Sequence, residues 1–570
     1  MNSKPLLMNF LKPFLTRVLL ILLVATTALN AQTYSKNGMV VSSDKTSSEV
    51  GALILKKGGN AIDAAIATAF SLAVTHPSAG NIGGGGFIVF MNSEGKTTTI
   101  DFREKAPLAA TNDMYLDEEG QLISGINHNT AKAIGVPGTV AGLYLAHQKY
   151  GSLSWEDLIQ PAIDQAKNGF EFNWSLFFAA ERFTKEGNSN VFMDGYFRNE
   201  NGEIVKPGEI WKQNELAETL TRIRDKGRDG FYKGKTAKKI VEFMKANDGI
   251  ITKKDLAKYE AIEREPIKGS YKGYDIYSMP PPSSGGVALV EMMNLMELAD
   301  FETMAFNSAK HLHLVAEAMR RAFADRAEHL GDPDFNLDIP LEKLTSKEFA
   351  RKRFHGIDMA KASVSDSTKF GRLFDGESTT HLSTMDKNGN AVSLTYTLEH
   401  SYGVKMGSNE LGFIFNNEMG DFNPQPGITK SNGQIGTAPN LVAPEKRMLS
   451  SMTPTIVGKN GKPYLVIGSP GGRTIINTVF QTVLNVLEFE MPVHKAIEAL
   501  KIHHQWLPDQ IVYEKYLLSP DTKKALEAKG HTLRERNNMG ALMGITYDSE
   551  KKIFTGASDS SQPDSGAVGY

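Results

Sequence analysis

The most informative part of the sequence reads Glu377-Ser378-Thr379-Thr380-His381-Leu382-Ser383, and it continues as Thr384-Met385-Asp386-Lys387-Asn388-Gly389-Asn390-Ala391-Val392-Ser393-Leu394-Thr395-Tyr396-Thr397. Asn-Gly between two runs rich in Thr, Val, Leu and Tyr is a strong hairpin signal, because both residues tolerate the positive φ of a type I′ turn. With a two-residue loop, Lys387 faces Asn390. Thr379 then falls opposite Leu398, with Thr397 as its immediate neighbour. The pattern predicts that two threonine hydroxyls meet near the far end of one hairpin, although Thr is also common in ordinary strands.

A Ser-Thr-Thr-His-x-Ser run, a hairpin and then Thr-Tyr-Thr resemble the start of the small subunit of the gamma-glutamyltransferases (glutathione hydrolases). Members of that family cut themselves before the first Thr of the pair, and the new N-terminal Thr is their nucleophile. The resemblance implies a cut between Ser378 and Thr379 here. The chemistry is sound on general grounds, because a Thr hydroxyl needs an adjacent base and a free α-amino group on the same residue can serve. The ordinary pKa of that amine is about 7.7–8.0, so part of it is neutral at pH 7.

The composition of the chain limits the classes of partner and of site that it can have. The chain has 570 residues, more than one compact core usually holds, and 41% of them are hydrophobic and 22% charged. The formal net charge of −2 gives no sign of a nucleic-acid partner or of an anionic membrane surface. The chain has no cysteine, which excludes disulfides, thiolate metal sites and a cysteine nucleophile.

The N-terminus has the pattern of an export signal. Lys4, Lys12 and Arg17 precede the apolar run 18–25, and small residues follow up to Ala31. This order is typical of a signal peptide, and the apolar run is short for a membrane span. We expect residues 1–31 to be removed and the mature protein to be exported, either to the periplasm or out of the cell. An uncleaved N-terminal anchor is the alternative.

A glycine run, Gly83-Gly84-Gly85-Gly86, leads into the apolar residues Phe87-Ile88-Val89. It does not fit a phosphate-binding loop, because no Lys-Ser/Thr follows and the glycines enter a strand. It indicates close backbone packing beneath a site. Arg103 follows in the context Asp101-Phe102-Arg103-Glu104. By itself it could be an ordinary salt-bridged residue, but the resemblance implies that it holds the α-carboxylate of a glutamyl group, which suits the planar guanidinium.

The resemblance assigns further polar residues to substrate binding. Glu418 and Asp421 occupy positions that bind the α-ammonium, and Ser450 and Ser451 bind the α-carboxylate opposite the arginine. Glu399 stands where many family members have Asn. A carboxylate can still face an ammonium there, but three acids around one cation should raise at least one pKa.

Two further segments are expected to stabilise the reacting carbonyl group and to form a lid over the site. Gly471-Gly472 lies between a strand and an apolar helix, so its amides can point from a helix N-terminus toward an oxyanion, as the family's Gly-Gly pair does. A simple strand–helix turn is the alternative. Residues 427–446 form a long polar segment that matches the family's lid, with Asn432 where some members have Tyr.

The resemblance covers nearly all of the mature chain. It implies an α+β fold, the four-layer αββα sandwich of N-terminal-nucleophile hydrolases, cut into a large subunit (32–378) and a small subunit (379–570) that intertwine as a heterodimer. Thr379 would attack the γ-amide of glutathione or a related gamma-glutamyl compound, oriented by Thr397. Water, an amino acid or a dipeptide would then accept the gamma-glutamyl group. No metal or cofactor is implied.

Two alternatives remain open. A cephalosporin or glutaryl-amide acylase on the same scaffold would act on substrates that lack the α-ammonium. An exported solute-binding protein without chemistry would stay uncut and would not need the Thr379–Thr397 hairpin.

Overall fold

The computed structural model of the chain describes residues 32–185, 191–365, 378–431 and 434–570. The predicted signal peptide, part of the segment before the expected cut, and Asn432 in the expected lid lie outside the described residues. Within the described ranges, none of the helices combines the length and the apolar character that a bilayer-crossing helix requires.

Strands form two large sheets and two small ones. In chain order the strands are Gln32–Ser35 (β1), Gly38–Ser42 (β2), Gly85–Met91 (β3), Thr97–Asp101 (β4), Phe170–Glu171 (β5), Ile210–Trp211 (β6), Ile262–Arg264 (β7), Ile267–Tyr271 (β8), Tyr274–Ser278 (β9), Ser378–Asp386 (β10), Ala391–Glu399 (β11), Thr455–Lys459 (β12), Lys462–Gly468 (β13), Ile502–His503 (β14), Ile511–Glu514 (β15), Leu533–Arg536 (β16), Met543–Asp548 (β17), Ile553–Ser558 (β18) and Gly566–Gly569 (β19). One seven-stranded sheet has the order β1-β18-β17-β13-β12-β9-β8, and the other has the order β19-β2-β10-β11-β3-β4-β7. Both are antiparallel throughout.

The helices are Lys45–Lys56 (α1), Ala61–Thr75 (α2), Ile126–Asn129 (α3), Thr139–Tyr150 (α4), Trp155–Asn168 (α5), Trp174–Lys185 (α6), Val191–Tyr196 (α7), Asn214–Lys226 (α8), Asp229–Tyr232 (α9), Gly234–Ala246 (α10), Lys253–Lys258 (α11), Gly285–Met296 (α12), Ala309–His329 (α13), Leu341–Leu344 (α14), Lys347–His355 (α15), Thr474–Leu487 (α16), Val493–Glu498 (α17) and Pro520–Ala528 (α18). Short 3₁₀ turns include Glu418–Asp421 and Ala438–Asn440.

The two large sheets pack face to face. Their shared core contains Met39 and Val41 of β2, Met385 of β10 and Val466 of β13, all fully buried. The intervening Val40 points the other way, into the core beneath α1, α2, α4 and α5, as the alternation of a strand requires. Helices α12, α13 and α16 cover the opposite sheet. The predicted αββα sandwich is confirmed.

Helix α2 shows why the sequence folds as it does beside the central strands. The Asn60 side chain accepts a hydrogen bond from the Asp63 amide, and the Asp63 carboxylate accepts one from the Asn60 amide. This capping box fixes the start of the helix. Every residue of the helix is buried, as expected for a run that is apolar nearly all round.

The predicted register of the β10–β11 hairpin is wrong by one residue. Met385 pairs with Ala391 and Thr379 with Thr397, so the loop has three residues instead of two. Only Gly389 of the Asn-Gly pair has positive φ, at 89°. The reason is the Asp386 carboxylate, which accepts hydrogen bonds from the amides of Asn388 (2.9 Å) and Asn390 (3.0 Å). The corrected register places the two threonines directly opposite each other.

Candidate active site

Thr379 and Thr397 face each other across the two central strands. The Thr379 hydroxyl donates to the Thr397 hydroxyl oxygen at 3.3 Å, and the backbone N–H of Glu399 donates to that same oxygen at 2.8 Å. Both threonines are buried. Because Thr397 is itself held by backbone, it can fix the direction of the Thr379 hydroxyl.

The bond that we expect to be cut lies at an irregularity of the sheet. Ser378 pairs with Glu399 while Thr379 pairs with Thr397, so the pairing shifts between the two residues and Leu398 is left as an extra residue on β11. Glu399 has a φ of 74°, which is unfavourable for a residue with a side chain. Such irregularities commonly lie beside active sites.

The glycine run packs against the back of this hairpin. A Cβ on Gly84 would lie 2.0 Å from the Thr397 carbonyl oxygen, and one on Gly86 would lie 2.4 Å from the Thr395 carbonyl oxygen. Asn81 joins the two segments, because its Nδ2 donates to the Thr397 carbonyl at 3.0 Å. The prediction of close backbone packing beneath a site is confirmed.

All of the side chains and glycines predicted to act on substrate line one cavity of about 520 Å³. The ten residues are Arg103, Thr379, Thr397, Glu399, Glu418, Asp421, Ser450, Ser451, Gly471 and Gly472. They come from five separated parts of the chain, and the fold brings them together.

Arg103 is buried and contacts both acids that were predicted to hold the ammonium. It donates to Glu418 and, at 2.6 Å, to Asp421. It also donates to the carbonyls of Met448 and Leu449, both at 3.3 Å. The arginine is therefore fixed by the segment that leads to Ser450 and Ser451, and the predicted carboxylate and ammonium sites share one ion-pair network.

Burial and charge shift the pKa values of this network. Burial opposes the charge of Arg103, but the carboxylates of Glu418 and Asp421 outweigh burial and raise the pKa of Arg103 above its ordinary value. Burial raises the pKa of Glu418 well above 4.5 although Arg103 opposes the shift. Burial likewise raises the pKa of Glu104, which lies 3.7 Å from Arg103, to about 8. The pKa of at least one acid in the network is therefore raised, as the crowding of acids predicts.

Glu399 is in contact with two histidines instead of with Arg103. One of its carboxylate oxygens lies 3.3 Å from Nδ1 of His128 and 3.5 Å from Nε2 of His400, and the two rings stack at 4.9 Å. These three residues are close enough to share a metal ion. However, Asn417 donates to Nδ1 of His400 at 2.8 Å, which leaves the proton of the neutral ring on Nε2, facing Glu399. The hydrogen bond from Asn417 therefore disfavours metal binding at Nε2 of His400.

A second group with metal-like spacing includes two residues of α13. His313, Glu317 and His531 come together in the core. Nε2 of His313 donates to the Asp358 carbonyl at 2.9 Å, so its Nδ1 accepts from Nε2 of His531 at 2.7 Å. Both rings are therefore used in hydrogen bonds, and the ring of His313 holds the backbone at Asp358.

Gly471 and Gly472 form the turn from β13 into α16. Their φ values are 130° and 55°, which favour glycine at both positions. The carbonyls of the pair accept from the first helical amides, of Thr474 at 3.1 Å and Ile475 at 3.2 Å. The pair thus lies at the positive end of the helix dipole and on the wall that carries Thr379.

Sequence reasoning missed four charged residues of the site, namely Glu104, His128, Arg326 and Arg473. Glu104 follows Arg103 directly and could have been noticed in the same motif. His128 and Arg326 come from helices whose patterns carry no functional signal, so only the fold reveals them.

The segment predicted as a lid borders a second cavity. Gln434, Ile435 and Thr437 line this cavity of about 700 Å³, which shares Glu399, Asp421 and Arg473 with the first. Asn440 ties the segment to the site, because its Nδ2 donates to the Asp421 carbonyl at 2.7 Å.

Comparisons with known proteins agree with this geometry. The sequence model described as gamma-glutamyltranspeptidase matches residues 47–569. The chain belongs to the gamma-glutamyltranspeptidase family. A glutathione hydrolase proenzyme from Escherichia coli (strain K12) is 45% identical over 538 residues, which cover 94% of this chain and 92% of that protein. Membership in this family makes the chain an enzyme and excludes the solute-binding alternative.

Solved structures of the gamma-glutamyltranspeptidase fold match as well. The crystal structure of a cephalosporin acylase from Bacillus halodurans superposes with a TM-score of 0.82 at 26% identity, covering 95% of this chain and 97% of that one. A gamma-glutamyltranspeptidase chain from Helicobacter pylori is 43% identical, with a TM-score of 0.54, and covers 56% of this chain and 90% of that one. The chain therefore has the N-terminal-nucleophile hydrolase architecture.

Proposed function

We propose that the protein is an exported glutathione hydrolase and gamma-glutamyltransferase that matures by cutting itself between Ser378 and Thr379. The observation that carries the proposal is the single cavity in which the Thr379 hydroxyl meets Thr397, the buried Arg103 network and the Gly471-Gly472 turn. Relatives named glutathione hydrolase proenzymes support the substrate and the maturation. The signal-like residues 1–31 support export to the periplasm or out of the cell.

Maturation would begin at Thr379. Its hydroxyl attacks the Ser378 carbonyl carbon, the peptide C–N bond breaks, and the nitrogen takes a proton to become the free amine of Thr379. Water then hydrolyses the resulting ester and releases the Ser378 carboxylate. The irregular pairing at this bond supports the proposal, because it frees the peptide from regular ladder geometry.

The glutamyl end of the substrate fits the charges of the cavity. Its α-carboxylate would bind to Arg103, Ser450 and Ser451. Its α-ammonium would bind to Glu418, Asp421 and Glu399. Because Arg103 already pairs with Glu418 and Asp421, a zwitterion would insert between partners of opposite sign without changing the net charge. Buried charge-assisted hydrogen bonds of this kind are strong and directional.

Reaction would proceed through a gamma-glutamyl ester of Thr379. The free amine of Thr379 takes the hydroxyl proton as the oxygen attacks the γ-amide carbon. The amides of Gly471 and Gly472 stabilise the oxyanion, and the leaving amine departs with that proton. Water, or the amine of an amino acid or dipeptide, then attacks the ester and frees Thr379. The two proposed pieces, 32–378 and 379–570, act as one heterodimer.

A glutaryl-amide or cephalosporin acylase is the second candidate, supported by the acylase structure with a TM-score of 0.82. Its substrates lack the α-ammonium. Replacing Asp421 with Asn should therefore leave an acylase active and should weaken a gamma-glutamyl enzyme, since the cation loses a charged partner worth about 1.5–3 kcal/mol.

The test is glutamate release from glutathione by the purified protein, with Thr379→Ala and Thr379→Ser beside it. We expect wild type to contain two pieces, one beginning at Thr379 by mass spectrometry, and to release glutamate. Thr379→Ala should stay uncut and inactive, whereas Thr379→Ser keeps a hydroxyl and should retain partial cutting. Glutamate release by an uncut Thr379→Ala protein would refute the proposal.

A further inference from the structure

Arg326 of α13 contacts one of the two serines that line the reaction cavity. Its guanidinium donates to Ser451 Oγ at 3.2 Å and to Ser284 Oγ at 2.8 Å, and the residue is only 6% exposed. Ser451 lines the cavity that contains Thr379. A buried guanidinium therefore supports a hydroxyl that we expect to bind the substrate.

Ser284 holds both the arginine and the serine pair in place. Its Oγ accepts from Nε of Arg326 and donates to the Ser450 carbonyl at 2.6 Å, and its backbone amide donates to the same carbonyl at 2.9 Å. The Ser450 amide in turn donates to the Pro282 carbonyl at 2.9 Å. The turn before α12 and the serine pair therefore form one hydrogen-bonded unit, to which Arg326 is joined through Ser284.

The hydrogen bond from Arg326 limits what the Ser451 hydroxyl can do. A serine hydroxyl has one hydrogen to donate and two lone pairs that accept, whereas a guanidinium only donates. Arg326 therefore occupies a lone pair of Ser451 Oγ and leaves the hydroxyl hydrogen unused. In the part of the chain that the structure describes, no other group accepts this hydrogen. It is available to an acceptor in the reaction cavity.

The charge of Arg326 strengthens the Ser451 hydroxyl as a donor. Burial, together with the charge of Arg473, lowers the pKa of Arg326 to about 9, so the guanidinium is still charged at neutral pH. A hydroxyl that accepts from a charged donor is polarised and forms a stronger hydrogen bond with its own acceptor. The acceptor that suits such a donor best is an anion.

We propose that Arg326 is a positioning residue for the α-carboxylate of the substrate, because it directs the hydroxyl hydrogen of Ser451 toward that group. The inference rests on the proposed gamma-glutamyl activity and adds a residue that acts through Ser451, whereas Arg103 would bind the carboxylate directly. The α-carboxylate lies at the opposite end of the gamma-glutamyl group from the reacting amide. This contact should therefore contribute to substrate binding and much less to the chemical step.

The test measures kcat and KM for L-γ-glutamyl-p-nitroanilide in Arg326→Gln, in Ser451→Ala and in the double variant. Arg326→Gln should raise KM about tenfold, the usual cost of a hydrogen bond to a charged group, and should leave kcat within about twofold. Ser451→Ala should raise KM by a similar factor. In the double variant, KM should exceed that of Ser451→Ala by less than about twofold, since Arg326 then has no hydroxyl to direct. Arg326→Lys keeps a charged donor and should recover part of the loss.

Arg353→Gln is the matched control for a structural change at the same helix. Arg353 donates to Asp325, the neighbour of Arg326 in α13, so this variant should lower Tm without raising KM. Should Arg326→Gln give no folded protein, Arg326→Lys takes its place in the same double-variant comparison.

The outcomes separate this inference from the proposed function. If Arg326→Gln lowers kcat and leaves KM unchanged, or if it raises KM by the same factor in Ser451→Ala as in wild type, the positioning role is refuted while the gamma-glutamyl activity stands. If wild type releases neither p-nitroaniline from this substrate nor glutamate from glutathione, the proposed function fails and this inference fails with it.

Discussion

Thr397 has one task that the geometry makes testable, which is to direct the hydroxyl of Thr379. Its Oγ1 accepts from that hydroxyl at 3.3 Å and from the Glu399 amide at 2.8 Å. Thr397→Val keeps the shape but removes the acceptor, so we expect kcat to fall about 10- to 100-fold, the usual cost of a misdirected reacting group. Thr397→Ser keeps the oxygen and should retain most of the activity. Equal rates for the Val and Ser variants would contradict this role.

The protonation of His128 determines whether a neighbouring positive charge neutralises the carboxylate of Glu399. Burial disfavours the charged ring, but Glu399 outweighs it and raises the pKa of His128 above 6.5. Below the raised pKa the ring is charged and neutralises Glu399; above it Glu399 is left for a substrate ammonium. We expect KM for L-γ-glutamyl-p-nitroanilide to fall as pH rises from 6.5 through the raised pKa of His128.

In His128→Gln the ring charge is gone, so KM should stay low and this part of its pH dependence should disappear. The contact between His128 and Glu399 also stabilises the folded protein, and this contribution to stability decreases as pH rises. It is fully present below the unfolded pKa of His128 and is lost as pH rises through the folded pKa. The same fall of KM with pH in wild type and His128→Gln would show that another group is responsible.

At the scale of the element, the β10–β11 hairpin depends on one buried carboxylate. Asp386 accepts from the amides of Asn388 and Asn390, and its second oxygen accepts from the amide of Ala61 at 3.0 Å. It therefore ties the loop to the start of α2. Asp386→Ala leaves these amides without partners, so we expect a loss of about 1–3 kcal/mol in stability, measured as a lower Tm.

Asp386→Asn keeps one acceptor oxygen and should lose less stability than Asp386→Ala. A matched surface control is Lys387→Ala, because Lys387 lies in the loop and is exposed, and it should leave Tm nearly unchanged. An Asp386→Ala protein as stable as wild type would mean that the loop amides find water instead.

The same hairpin shows what could be predicted from sequence and what could not. The Asn-Gly pair predicts a hairpin, but its register depends on where the Asp386 side chain finds donors, and propensity does not report this. The resemblance named ten residues of the cavity because each lies in a recognisable motif. It did not reveal that Arg103 pairs with Glu418 and Asp421, or that Arg326 arrives from α13. Such contacts join segments that are far apart in the chain, so only the packed fold defines them.

At the scale of the whole molecule, the two proposed pieces share both of the large sheets. In one large sheet, β2 from residues 32–378 lies between β19 and β10, and β11 pairs with β3. In the other, β1 pairs with β18 and β9 pairs with β12. A cut after Ser378 removes only the first residue of β10. The cut should therefore leave the fold intact and change only the chemistry at Thr379.

This interleaving predicts that the two pieces stay together after maturation. Separating them would break backbone ladders in both sheets and expose the core around Met39, Met385 and Val466, which is fully buried. In native buffer at any dilution, size-exclusion chromatography should give one peak that contains both pieces, at the volume of the uncut Thr379→Ala chain. The pieces should separate only in a denaturant that unfolds them, because neither piece alone has complete sheets. Free pieces in native buffer would contradict the interleaving, since strands paired on both sides cannot leave a folded sheet without unfolding it.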